Sequence, residues 1–418
     1  MALILRWLVF VVAALGLSGA AAAQDRLFVS GGVAQPPYNE EIGAIGNFGV
    51  SLGSISPLVH QPLIAGGRYV AATTNNCQLT PCVVVDWQGV AHPLPYAFVS
   101  IVATDPVRPR VFVQTASGAV DAVDVETGFV TPVFAASYAV SGPCRYAYSV
   151  ARLFCIEGGA APALRVFSTS GAAGETPRVV GTVASGPFGS PVWLVTPDGS
   201  RLFAGVTGGG SEPLVLTYVA TGLSVAVVLP SVSDLVWDDF NERLIVTPAP
   251  HVGHAFTKDL AYLGSAQFPF TLTALAVSPA TGRLYIRGLF AQSAGYGDAY
   301  TTAFDSRTYA PLTPTVHTQG FGGGPRVTVL SPPGAPRDVA AVVNGRDVAV
   351  SWTNVGFASA FLLDVGVAPG QTTLTVQVSA QSQAAFAAVP SGTYYVRLRG
   401  ANAFGIGRPS TELRVVVP

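Results

Sequence analysis

Charge is what this sequence has least of. Asp, Glu, Lys and Arg make up 11% of its 418 residues, against about a quarter in ordinary globular chains, and the formal net charge is −1. Only one of the 22 basic residues is a lysine, Lys258. With neither a basic excess nor a basic run, the chain has no electrostatic footprint for nucleic acid or for an anionic lipid surface. Catalytic motifs are missing too. There is no G-x-S-x-G, no H-E-x-x-H and no P-loop, and the Gly-rich TGGGSEP at 207–213 lacks the Lys-Ser/Thr of a phosphate cradle. The four cysteines do not show the C-x2-C spacing of a zinc site, and no cofactor or metal is implied. Past the N-terminus no stretch is apolar for long enough to cross a membrane as a helix. The chain is rich in glycine (46) and proline (32), and half of it is hydrophobic. That composition suits an all-β chain of many strands and tight turns.

Residues 1–23 read MALILRWLVFVVAALGLSGAAAA. One arginine precedes a short apolar run that ends in small residues before Gln24-Asp25, the pattern of a signal peptide with an A-x-A-type cleavage site. An uncleaved anchor is the alternative, but the strongly apolar part, residues 7–17, is short for a span. The expectation is export, to the periplasm, the cell surface or outside, as a mature chain 24–418 with no membrane span.

A short string then recurs: RLFV at 26–29, RYVA at 68–71, RVFV at 110–113, RLFC at 152–155, RLFA at 201–204, RLIV at 243–246 and RLYI at 283–286. Successive arginines are 42, 42, 42, 49, 42 and 40 residues apart. Most copies follow an apolar strand and a turn, as in TDPVRPR (104–110), TPDGSR (196–201), WDDFNER (237–243) and SPATGR (278–283). After each comes a second strand, a loop, a third strand that often ends in an acidic or T-G turn, and a poorer fourth strand. Four antiparallel strands per repeat, with Asp, Gly and Pro at the turns, is the expected unit. One such sheet cannot bury both faces, whereas radial stacking buries them against each other and closing the ring limits exposed edges. An arginine that recurs seven times is a feature of the fold rather than a site.

The strings TPDGSRLFAG, SPATGRLYIRG and VDVETG resemble the repeat of bacterial seven-bladed β-propellers of the YVTN or surface-layer type, over about residues 26–330. The chain enters at a second-type strand, 26–29, and PRVTVL at 325–330 is a first-type strand with no successor. The last strand is therefore expected to complete the N-terminal blade.

In an exported chain the cysteines are expected to be paired. Cys77 and Cys82 bracket QLTP, and Cys144 and Cys155 flank a hairpin centred on Ser149-Val150. Both spacings favour the pairings Cys77–Cys82 and Cys144–Cys155. A Pro/Gly linker is expected at 331–334, and from residue 335 the 42-residue period stops. The last 84 residues, with VAVSWTN (348–354) and TYYVRLRGANAFGIGRPS (393–410), resemble a fibronectin type III β-sandwich. That resemblance implies a core Trp352, a corner Tyr394, Phe361 on the central strand, and Asn402 and Gly405 in a turn.

Function sits most often on loops, and in a propeller the second-to-third-strand loops share one face. The candidates there are Tyr38 and Glu40 in loop 31–47, Glu157, Glu212, His251 and His254, and Tyr296, Asp298 and Tyr300 in loop 288–300. Aromatics with scattered acids and Gly-rich turns would suit a polar, planar-faced ligand such as a sugar. His251-x2-His254 lacks a carboxylate at fixed spacing and is weak as a metal site. Glu40-Glu41 and Asp238-Asp239 are sequence neighbours, and on a strand neighbours point to opposite faces. The sequence thus suggests an exported, non-catalytic binding or scaffold protein whose partner is an extracellular glycan or another protein. The rival reading is a propeller enzyme acting on a polysaccharide or lactone, with the tail as spacer. A membrane β-barrel fits the low charge but not the period or the tail.

Overall fold

The computed structural model describes residues 25–30, 46–47, 63–65, 68–71, 83–86, 90–95, 100–135, 140, 144–157, 163–169, 178–182, 191–206, 212–269, 271–289, 298–312, 316–319, 326–353, 355–378 and 382–418. The expected signal peptide, Tyr38, Glu40, Tyr296 and the Cys77–Cys82 pair lie outside them. Among the described residues no helix is long and apolar enough to cross a membrane.

The fold is all-β. Six four-stranded antiparallel sheets follow one another along the chain. Their first strands are Leu63–Ala65, Ser100–Asp105, Arg145–Ala147, Pro191–Val195, Asp234–Asp238 and Thr271–Val277. A further sheet joins the two ends of this region: Arg26–Ser30 pairs antiparallel with Arg326–Leu330, from Arg26 opposite Leu330 to Ser30 opposite Arg326. Gly46–Asn47, expected within a loop, adds a short parallel strand to the other side of Arg26–Ser30. Each first strand lies beside that of the next sheet, and Arg326–Leu330 lies beside both Thr271–Val277 and Leu63–Ala65. The first strands thus neighbour one another in a complete circuit.

Burial falls from first strand to fourth. Ser100–Asp105 is buried from Ile101 onward, whereas Ser224–Leu229 and Tyr262–Gln267 are largely exposed. Apolar residues on the inner strands pack sheet against sheet: Leu216 and Phe203 meet Leu235, Leu244 and Phe256 of the following sheet. Burial of this kind contributes on the order of 25 cal/mol per Å² of apolar surface.

The turns follow from their side chains. Asp105 Oδ1 accepts from the backbone N–H groups of Val107 and Arg108 at 3.0 and 3.2 Å, and Asp238 Oδ1 does the same for Phe240 and Asn241 at 3.2 Å. Such carboxylates replace the backbone acceptor in a tight turn. Gly282 has φ +67°, and a Cβ there would stand 2.7 Å from the Phe240 ring. Only glycine satisfies both conditions.

At four of its copies the recurring arginine reaches from its own sheet to the next. Arg68 pairs with Glu126. Arg110 donates to Asp105 of its own turn and to the Tyr146 hydroxyl of the next sheet, both at 2.8 Å. Arg201 reaches Asp259 at 3.1 Å, and Arg243 pairs with Asp238 at 3.1 Å while lying over the Tyr309 ring. Arg152 is exposed.

Residues 337–418 form two more sheets around a core of their own, with Trp352, Phe361, Leu363, Val396 and Leu398 at its centre. Trp352 packs edge-on to Phe361 at 5.3 Å. Tyr394 Oη donates to the Pro390 carbonyl at 2.9 Å, and Phe404 N–H donates to Asn402 Oδ1 at 2.8 Å. The connection at 331–334, expected to be a linker, is buried throughout.

Candidate ligand-binding face

The antiparallel order puts all second-to-third-strand junctions at one edge of the sheets. The described candidates sit at or beside that edge, but not all on loops. Glu157 ends the strand Arg152–Glu157, half-buried, and accepts from Arg165 Nε at 2.6 Å across the sheet. Glu212 begins the strand Glu212–Tyr218, and Asp298 begins Asp298–Asp305. His251 is exposed at the turn between Arg243–Ala249 and Val252–Thr257.

Two expectations need correction. His254 is not a loop residue. The junction holds only Pro250 and His251, so His254 falls on the third strand, opposite Val246, and packs edge-on to Tyr262 at 5.5 Å. Burial alone lowers its imidazole below the ordinary histidine range. Tyr300 likewise lies on a strand, opposite Gly288, and packs against the apolar cluster of Ile245, Phe268, Leu284 and Phe304. The third strands begin earlier than the sequence pattern indicated: Val252–Thr257 follows a two-residue turn, and Asp298–Asp305 opens inside the segment expected as loop 288–300. Glu157, Glu212, His254 and Tyr300 belong to four different sheets. Among the described residues no group of three or more His, Cys, Asp or Glu could hold a metal ion.

Polar groups outside the candidate set are more tightly organised. Asp25 is buried and accepts from the hydroxyls of Ser278, Thr281 and Tyr285 at 2.8, 2.9 and 2.7 Å. Burial, with Asp25 beside it, pushes the Tyr285 phenol far above its ordinary value. At the same first-to-second-strand end, Arg337 of the C-terminal sheets pairs with Asp239 at 3.2 Å and Glu242 at 3.1 Å. Burial raises the Asp239 carboxyl despite that arginine. His92 Nε2 meets Asp86 Oδ2 at 3.1 Å, with Tyr69 edge-on to the imidazole. None of these groups stands in a recognisable sequence motif. Each is joined across a sheet or across the whole chain, which spacing does not reveal.

Cys144 and Cys155 are disulfide-bonded, with Cα atoms 4.4 Å apart.

No protein-family model matches the chain, and no curated protein does. Among solved structures, the β-propeller domain of Cps50 (Swd1) from Myceliophteria thermophila is similar over 65% of this chain and 97% of its own, at 14% identity and TM-score 0.44. A Mitotic Checkpoint Complex chain is similar over 72% of this chain and 86% of its own, at 12% identity and TM-score 0.43. The extracellular domain of the putative one component system BT4673 from B. thetaiotaomicron matches over 86% of this chain and 50% of its own, at 9% identity and TM-score 0.40. At such identities and TM-scores the likenesses carry no function across.

Proposed function

We propose that this chain is an exported, non-catalytic binding or scaffold protein: a seven-bladed propeller of YVTN-like repeats followed by a fibronectin type III-like sandwich. The observation that carries the reading is the circuit of first strands, tied at its ends by Arg26–Ser30 against Arg326–Leu330. A closed ring of sheets is rigid and presents its strand junctions as two opposed faces. The junctions carrying Glu157, Glu212, His251 and Asp298 form the partner face, together with the segments holding Tyr38, Glu40 and Tyr296. A glycan or a protein surface rich in polar groups fits such aromatic and acidic loops.

Glu157 supports binding over acid/base catalysis, since its carboxylate is already engaged by Arg165 at 2.6 Å. The test is a glycan array probed with the mature chain 24–418, alongside Tyr38→Ala and Tyr296→Ala variants. Selective binding lost in those variants supports a glycan partner. Uniform silence removes the glycan and leaves a protein partner, to be sought by proximity labelling at the cell exterior. Hydrolysis of an arrayed polysaccharide by the unmodified chain would overturn the non-catalytic reading.

A further inference from the structure

We propose that the C-terminal sandwich is a fixed cap across one end of the ring's axis, so that a partner meets the ring only through the opposite, second-to-third-strand face. This rests on the closed ring proposed above and adds which of its faces is free.

The connection is packed rather than tethered. Residues 331–334 follow directly on the ring-closing strand and are buried. A Cβ on Gly407 would stand 2.1 Å from the Pro333 carbonyl oxygen, and one on Gly400 would stand 2.8 Å from Pro333 Cβ. The two glycines thus let the sandwich close against this segment. Asn402 Nδ2 donates to the carbonyls of Ser331 at 2.7 Å and Phe357 at 3.0 Å, binding the connection to the sandwich's own 355–358 loop.

That loop reaches the ring at a second place. Phe357 N–H donates to the Pro106 carbonyl at 3.1 Å, and a Cβ on Gly356 would stand 3.3 Å from Tyr148 Oη. A third place is the turn after Asp238. Arg337 holds Asp239 and Glu242, and the Arg408 guanidinium lies 3.7 Å over the Phe240 ring. Gly334 lies against Pro279 in the following sheet's turn.

Every one of these ring contacts is on a first-to-second-strand turn. Pro106, Tyr148, Asp239 and Pro279 belong to four sheets. In the circuit, Ser100–Asp105 and Asp234–Asp238 are three steps apart out of seven, as far apart as two members can be. A single body touching both turns must span the axis between them. Tyr148 and Asp239, from different sheets, are close enough for the carboxylate to help raise the phenol, after burial itself. The sandwich therefore reaches across that end of the ring. Asp239 is only 15% exposed, so parting it from Arg337 leaves a largely buried carboxylate without its counter-charge.

The experiment is hydrogen exchange by mass spectrometry on the full chain and on Arg337→Glu, which places a third carboxylate beside Asp239 and Glu242. In the unmodified chain the peptide carrying the Phe357 amide is expected to exchange as slowly as the one carrying Leu398, which is bonded inside the sandwich to Ser410 Oγ at 3.0 Å. In Arg337→Glu, Phe357 is expected to exchange at least tenfold faster while Leu398 is unchanged. Fast exchange of Phe357 in the unmodified chain overturns the cap, as does an unchanged rate in the variant. Should the variant fail to fold, small-angle scattering of the unmodified chain decides. A single compact particle of the structure's dimensions supports the cap, and an ensemble of separated bodies overturns it. The strand Arg26–Ser30 is followed in the same exchange run. Loss of protection there, with Phe357 still slow, would break the ring reading and not the docking.

Discussion

The Tyr285 hydroxyl donates to Asp25 Oδ2 at 2.7 Å across 260 residues of sequence. Asp25 precedes the first strand, and Tyr285 lies on the second strand of the last sheet before the closing one. The bond therefore crosses the seam where the two ends of the sheet circuit meet. Asp25→Ala leaves the hydroxyls of Ser278, Thr281 and Tyr285 facing no carboxylate, and each buried donor left unsatisfied costs about 1–3 kcal/mol. We expect urea unfolding to report a loss of about 3 kcal/mol or more, with Asn at the same position losing less because it keeps one acceptor. An unchanged midpoint would mean that the seam is held by the strand pairing alone.

The recurring arginine should not cost the same at every copy. Arg243 faces a wholly buried Asp238, so Arg243→Met strands that carboxylate and should destabilise by about 3–5 kcal/mol. Arg152 is exposed, and Arg152→Met should stay within about 0.5 kcal/mol of the parent. Equal losses in chemical denaturation would show that the residue acts through something other than the partners seen here.

What the sequence made legible was periodic. Six of the seven arginines open a strand, and Arg68 immediately precedes one, because the strand onset is a local property of turn and alternation. The Cys144–Cys155 hairpin was legible for the same reason, the partners being eleven residues apart. His254 and Tyr300 were misplaced since the polar and small residues near the start of Val252–Thr257 and Asp298–Asp305 read as loop in the sequence. The 331–334 segment reads as a linker from its prolines and glycine. Its burial depends on Gly400 and Gly407 meeting Pro333, a fit between positions some 70 residues apart that no composition encodes. Asp25, likewise, looks like an exposed residue beside a cleavage site until Ser278 and Tyr285 are brought to it.

The phenols of Tyr146, Tyr148, Tyr285 and Tyr309 are all raised above their ordinary 10.0, in each case mainly by burial. Above that pH the unfolded chain releases these protons while the folded chain keeps them. The unfolded state then binds fewer protons, so stability falls as pH rises. Thermal unfolding should be flat from neutral pH up to the ordinary tyrosine range and fall beyond it. Tyr309→Phe, which cannot ionise in either state, should fall less steeply. A parent and variant with the same alkaline slope would exclude Tyr309 as a contributor.

The disulfide offers a test that joins the ring to its cap. Cys144 and Cys155 are both buried beside Phe112, Leu153 and Phe167. Loop entropy for so short a closure gives about 3 kcal/mol, and the Cys144→Ala/Cys155→Ala double variant should lose about that much. The hairpin should nonetheless survive, because Arg145, Tyr146 and Ala147 stay paired with Phe154, Leu153 and Arg152. Serine at both positions should cost more than alanine, since two hydroxyls would enter an apolar cluster. The turn between the cysteines is Tyr148–Val150, and Tyr148 is the residue that Gly356 of the sandwich meets. Loosening the hairpin should therefore speed exchange at Phe357 while the far contact, Arg337 with Asp239, holds. A double variant that loses stability but leaves Phe357 as slow as before would show that the cap is set by the Asp239 side alone.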